Sequence, residues 1–253
     1  MINNTNIEEL HLSKVPIILA IAQIRFTLPE HFNVESFLER KSSIDYHYPE
    51  FKTNFIGQLK IQDLLEGKHS ASFQDPKKSG FLFESKDKKK SFSIELNKFT
   101  FNNTGKYVSW ESFFEDVLKS WRYFDKIQKS IFINGVSLRF INEITINEII
   151  TDPLDYFNYT LFSKDNSNLN EIDSYFVSFT YNWGINKIAN FSHNIKAIST
   201  QENKAIIDID VLNNNIMEYY DESDLIQRFN ELRMELKTRF FNSITTKLLN
   251  QLL

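Results

Sequence analysis

The sequence predicts an α+β protein: two pseudo-repeats of strand-helix-strands-helix that share an antiparallel sheet, with two long helices packed on one face. Three observations predict it. The stretches AIAQIRFTLP (Ala20 to Pro29) and GVSLRFINEITI (Gly135 to Ile146) both alternate like strands with one buried face, and both carry an arginine at the same place. Each is followed, later in its half of the chain, by an apolar stripe at helical spacing. Between strand and long helix, further strand-like runs succeed one another, which favours antiparallel pairing over a doubly wound parallel sheet.

A polar leader (1–15) ends at Pro16, and Ile17 to Leu28 reads as a strand. Ala20, Ala22, Ile24, Phe26 and Leu28 share one face, with Gln23, Arg25 and Thr27 on the other. Asn33 is placed to cap a short helix carrying Val34, Phe37 and Leu38. Tyr46 to Phe73 has no clear period, and a strand near Phe55 to Ile61 is the preferred reading. GFLFES (Gly80 to Ser85) and SFSIEL (Ser91 to Leu96) flank the charged turn KDKKK and form a hairpin, with Lys98 to Phe101 extending it past a bulge. Trp110 to Gln128 is a helix: Trp110, Phe114, Val117, Trp121 and Phe124 recur at spacings of three and four, behind the cap Ser109.

The second half (130–253, against 16–129 for the first) opens with a strand at Ile131 to Ile146. Asp152 followed by Pro153 announces a helix over Leu154 to Leu161. Strands follow at Tyr175 to Trp183, Ile188 to Ile198 and Ala205 to Leu212. A long helix from Asp224 to Asn250, opened by Asp221 or Ser223, closes the chain with the stripe Leu225, Phe229, Leu232, Leu236, Phe240, Ile244 and Leu248. Ile24-Arg25-Phe26 matches Leu138-Arg139-Phe140 at an offset of 114, and Ile94-Glu95-Leu96-Asn97 matches Ile207-Asp208-Ile209-Asp210 at 113, as an internal duplication predicts. The middle strands do not align.

Composition narrows the function. The chain has 253 residues, enough for a large core, with 42% hydrophobic and 15% aromatic residues. A formal charge of −4 leaves nucleic-acid or membrane binding to a local patch. With no cysteine, disulfides, thiolate metal sites and cysteine nucleophiles are excluded. Neither a signal peptide nor an eighteen-residue apolar run is visible, so a cytoplasmic protein without membrane association is expected.

The segments PIILAIAQIRF, LRFINEI, IIDIDVL and LRMELKTRFFNSIT, in that order, resemble a sporadically distributed family of prokaryotic proteins of similar length and unknown function. The resemblance runs from Pro16 to Thr245. Phe140 and Arg233 depart from it, since members often carry Tyr and His there. It transfers no activity, catalytic residue or cofactor. The patchy distribution implies mobile genes, and with them a phage-defence or toxin–antitoxin setting.

The candidate residues follow from chemistry. Two guanidiniums, Arg25 and Arg139, would converge on a carboxylate or phosphate. The structural alternative, favoured here, pairs Arg139 with Asp208 or Asp210 and Arg25 with Glu95, because an unpaired buried arginine is costly. Asp208 and Asp210 share one strand face, as a Mg²⁺ site for phosphoryl transfer requires, although no Gly-Ser turn accompanies them. The six isolated glycines form no phosphate loop, and the five dispersed histidines form no metal motif. Lys77, Lys78, Lys86, Lys88, Lys89 and Lys90 surround one hairpin tip, either as a nucleic-acid contact or as a solvated, edge-guarding turn. Beyond Ile244, Leu248, Leu249, Leu252 and Leu253 would bury against a partner or fold back. The expectation is a non-catalytic binding or adaptor protein with no cofactor, which meets a protein partner through the polar sheet face or the last helix. The alternatives are a phosphate-substrate enzyme using Asp208 and Asp210, and a nucleic-acid-binding protein using Lys86, Lys88, Lys89 and Lys90.

Overall fold

The computed structural model describes residues 7, 10–64, 68–124, 131–148, 150, 152–158, 174–197, 203–217 and 221–253. Among the described residues there are nine strands, with apolar and polar residues alternating most clearly in β1, β6 and β9: β1 (Ile17–Thr27), β2 (Glu50–Leu64), β3 (Lys68–Glu84), β4 (Lys90–Glu95), β5 (Lys98–Asn103), β6 (Phe132–Ile146), β7 (Ser174–Gly184), β8 (Lys187–Ala197) and β9 (Asn203–Asn213). All pair antiparallel in one sheet, in the order β2-β3-β4-β5-β1-β6-β9-β8-β7. The two arginine-bearing strands, β1 and β6, are therefore central neighbours.

Helices α1 (Lys41–Ile44), α2 (Trp110–Arg122), α3 (Glu222–Ser243) and α4 (Thr246–Leu252) join 3₁₀ turns at Val34–Leu38 and Pro153–Asp155. The expected caps are in place. Side chains of Asn33, Ser109, Asp152 and Asp221 each accept a backbone N–H from the first turn that follows, which removes an orphan donor there. The apolar stripes of α2 and α3 lie on the same sheet face. Trp121 packs on Phe26 and Phe99, and Phe113 on Phe101. Leu225, Phe229, Leu232 and Leu236 bury against the β6 and β9 side. The helices meet through Phe114 and Phe229, ring centres 5.2 Å apart, and through Trp110 Nε1 donating to Asn230 Oδ1 at 3.1 Å.

The structure corrects the predicted class. A single, dominant nine-stranded antiparallel sheet replaces the balanced α+β pair of repeats with two long helices. Tyr46 to Phe73, which lacks a readable period, supplies all of β2 and the start of β3, strands of 15 and 17 residues. Five strands precede α2 and four follow it among the described residues, so the halves are unequal. The first expected helix ends at Arg122, and residues 125–128 of that expectation lie outside the described residues. The last one breaks. Ile244 is extended (φ −109°, ψ 150°) because it forms a β-bridge with Phe157, while Thr245 N–H donates to Tyr156 O at 2.9 Å. Thr245 then caps α4.

Two further expectations change. The helix expected over Leu154 to Leu161 is absent as far as Asn158: one 3₁₀ turn gives way to the Phe157 bridge, and the part from 159 lies outside the described residues. The terminal leucines fold back. Leu248, Leu249 and Leu252 are buried, and Leu252 O accepts from Lys14 N–H at 3.1 Å, tying the leader to the tail. Of the four, Leu253 alone stays exposed. Among the described residues no helix is long and apolar enough to cross a membrane.

Candidate functional site

Helices α2 and α3 pack on one face of the sheet, and on the other face β1, β6 and β9 present half-exposed side chains, Arg25, Arg139, Asp208 and Asp210 beside the apolar Ile21, Ile141 and Ile206. Register decides who meets whom there. Arg25 stands opposite Lys98 on β5 and Gly135 on β6, and Arg139 stands opposite Asp210 on β9. Asp210 and Asp208 in turn face Asn190 and Ser192 on β8. Directly opposed antiparallel residues point to the same side, so Arg139, Asp210 and Asn190 form one transverse polar row, with Asp208 and Ser192 two positions along. Arg25 stands outside it, because Ile21 is the β1 residue opposite Arg139 and Arg25 lies four positions further along β1.

Arg139 does not bond the aspartate directly across from it. It reaches diagonally, with Nε and Nη2 donating to the two carboxylate oxygens of Asp208 at 2.8 and 2.5 Å. This fork-to-fork geometry raises the Arg139 pKa, with its hydrogen bond to Asp208 as the leading cause and burial opposing it. The expected internal pairing holds on this side of the sheet.

On the other side it fails. Arg25 does not reach Glu95, because Lys98 lies between them and takes that carboxylate at 3.6 Å. Arg25 Nη2 donates instead to Asn214 Oδ1, across 189 residues of chain. Its Nε–H is buried without a partner among the described residues. Burial lowers the Arg25 pKa, and the charge of Asp210 opposes that shift. Burial in turn raises the Asp210 carboxyl above the ordinary aspartate range, with Asp208 adding to the rise while Arg139, Asn190 and Arg25 oppose it. Among the described residues no ion pair joins Arg25 to Asp210.

Gly135 makes this arrangement possible. A Cβ there would lie 2.7 Å from Arg25 Nη2 and 2.7 Å from Asn213 O, so the guanidinium rests where a side chain would stand. Beside the row, Arg139, Asp208, Asp210, Asn190, Ser192 and Ser178 line a depression of about 220 Å³. It offers hydroxyl, amide and carboxylate groups together.

Three of the five sheet-face candidates thus come together (Arg139, Asp208, Asp210); Arg25 stands further along the same face, and Glu95 apart with Lys98. Sequence reasoning missed Asn190, Ser192, Ser178, Asn214 and Gly135. The polar positions alternating along β7 and β8 carried the signal for three of them, but only the register showed which aspartate they would face. On the lysine hairpin, Lys78 pairs with Glu35, Lys88 with Glu50 at 3.5 Å and Lys90 with Asp116 at 2.7 Å. Lys77, Lys86 and Lys89 are exposed.

No family model matches this chain, and no curated protein matches it.

Proposed function

We propose that this chain is a non-catalytic binding protein whose partner docks on the open polar face of the sheet, around Arg25, Arg139, Asp208 and Asp210. The observation that carries the reading is Arg25. Its Nε–H is buried without a partner among the described residues, and the guanidinium feels the charge of Asp210, a carboxylate it does not bond. Leaving a buried donor unmade costs about 1–3 kcal/mol, so a ligand acceptor that reached it would gain from the contact. Desolvated, opposed charges gathered in one place favour recognition over packing as the reason they are kept.

The commitment of both Asp208 oxygens to Arg139 supports binding over metal-dependent phosphoryl transfer, since a cation would have to displace the guanidinium. Three ion-paired lysines likewise weaken the case for nucleic acid at the hairpin. The test is native mass spectrometry of the protein purified from its own host, as wild type and as Arg25→Gln and Asp210→Asn. A component bound at fixed stoichiometry should be lost from both variants. Its retention in both would overturn the reading, as would a metal-dependent turnover abolished by Asp208→Ala. A steep fall of binding with salt would instead select the nucleic-acid alternative, because phosphate contacts release counterions.

A further inference from the structure

A second site lies on the opposite side of the sheet, under the helices. The leader segment Leu10–Ile17, the start of α2, the second half of α3 and the centre of β6 line a half-open cavity of about 230 Å³. Its walls are largely apolar and aromatic, with Tyr107, Trp110, Phe140, Leu236 and Phe240 contributing. A dry cavity of ~150 Å³ takes up benzene, so this one has room for a benzene ring with two polar substituents.

Three polar groups on the walls have unused hydrogen-bonding capacity. Asn142 interrupts the apolar face of β6 and is only 3% exposed. Its amide nitrogen donates to Ile207 O at 3.1 Å, while its Oδ1 accepts nothing among the described residues. Asn142 borders the cavity and its Oδ1 is not sealed off, so a ligand donor that reached it would take the place of water. Tyr107 packs its ring on Phe140 and Phe113, yet its hydroxyl makes no hydrogen bond among the described residues. Burial pushes that phenol far above its ordinary range, which keeps it a neutral donor.

The third group is Arg233. Its guanidinium stacks over the Trp110 ring at 5.4 Å and approaches Glu111 at 3.6 Å, outside normal hydrogen-bond length. Glu111 is itself 74% exposed, so water screens the pair and leaves the planar fork of Arg233 open to a carboxylate. Lys237 on the next turn of α3 also lines the cavity and adds positive charge.

We propose that this cavity binds a small aromatic carboxylate bearing a ring hydroxyl, with the carboxylate on Arg233, the ring beside Leu236 and Phe140, and the hydroxyl donating to Asn142 Oδ1. The chemistry selects against two near relatives. An aromatic acid without the hydroxyl leaves Asn142 Oδ1 to water, and a neutral phenol leaves Arg233 unused. This site shares no residue with the open polar face, so each stands or falls alone.

The probe is 4-hydroxybenzoate, compared with benzoate and phenol by saturation-transfer NMR and calorimetry on the full chain. The expected result is binding of 4-hydroxybenzoate about tenfold tighter than either fragment, as one satisfied buried contact of about 1.4 kcal/mol requires. Arg233→Gln should weaken 4-hydroxybenzoate and benzoate about tenfold and leave phenol unchanged. Leu236→Trp, which fills the cavity, should abolish binding of all three while circular dichroism stays native. Should that variant not fold, the Arg233→Gln pattern decides alone. Absence of binding by any probe overturns the proposal, as does phenol equalling 4-hydroxybenzoate or an Arg233→Gln variant that treats all three alike.

Discussion

Gly135→Ala tests the central geometry of the open face. Gly135 needs no left-handed backbone, so alanine carries no conformational penalty there. Alanine would even restrict the unfolded chain and stabilise by about 0.4–1 kcal/mol if nothing stood in its way. Two atoms do, each 2.7 Å from the new Cβ: Arg25 Nη2 and Asn213 O. The first is the end of a side chain and can move, at the expense of its bond to Asn214. The second is backbone held in the β6–β9 ladder, where Asn213 pairs with Val136. Overpacking of this kind costs about 1–3 kcal/mol, so the net expectation is a loss of about 1–2 kcal/mol. For a chain of this size each kcal/mol lowers Tm by about 2–4 °C. Urea denaturation of wild type, Gly135→Ala, Arg25→Ala and the double variant would measure both the loss and its coupling to Arg25. Removing Arg25 relieves one of the two contacts, so the pair should be non-additive by at least about 0.5 kcal/mol. Additive effects, or an alanine variant as stable as wild type, would refute the placement of the guanidinium over Gly135.

Two more expectations concern the aspartates. Burial holds the folded-state pKa of Asp210 above its unfolded value, so the folded chain binds that proton more tightly. Stability from this group is therefore lost as pH rises from the unfolded to the folded pKa, and the penalty is complete above that window. Asp210→Asn should stabilise the protein at neutral pH, with the gain vanishing below the ordinary aspartate range; a variant equally destabilised at both pH values would sink the argument. For the diagonal pair, a cycle of Arg139→Met and Asp208→Asn should give a coupling of about 0.5–1 kcal/mol that shrinks in high salt. The low figure follows from an Arg139 side chain that is 42% exposed, and a coupling of zero would mean the fork is not populated in solution.

The sequence by itself determined the local elements. Alternation along β1, β6 and β9 identified both faces of the central strands, because a side chain two positions along a strand returns to the same side. The stripes of α2 and α3 and the caps Ser109 and Asp152 were legible for the same reason, with Asp221 and Ser223 both open for the last helix: helix periodicity and first-turn hydrogen bonds are settled within a few residues. The polar row was half legible. Arg139 and Asp208 could be matched because β6 and β9 both alternate cleanly, yet the choice of the diagonal partner over Asp210 depended on register. Only the tertiary structure placed Asn214 against Arg25, since nothing local links residues 189 apart. It also decided the break at Ile244, where a bridge to Phe157 outcompeted a helical pattern that continues unbroken in sequence. It turned the unpatterned stretch after Tyr46 into a long hairpin. In each of these cases the deciding hydrogen bonds and contacts come from distant segments, and a sequence window carries no record of what will be packed against it.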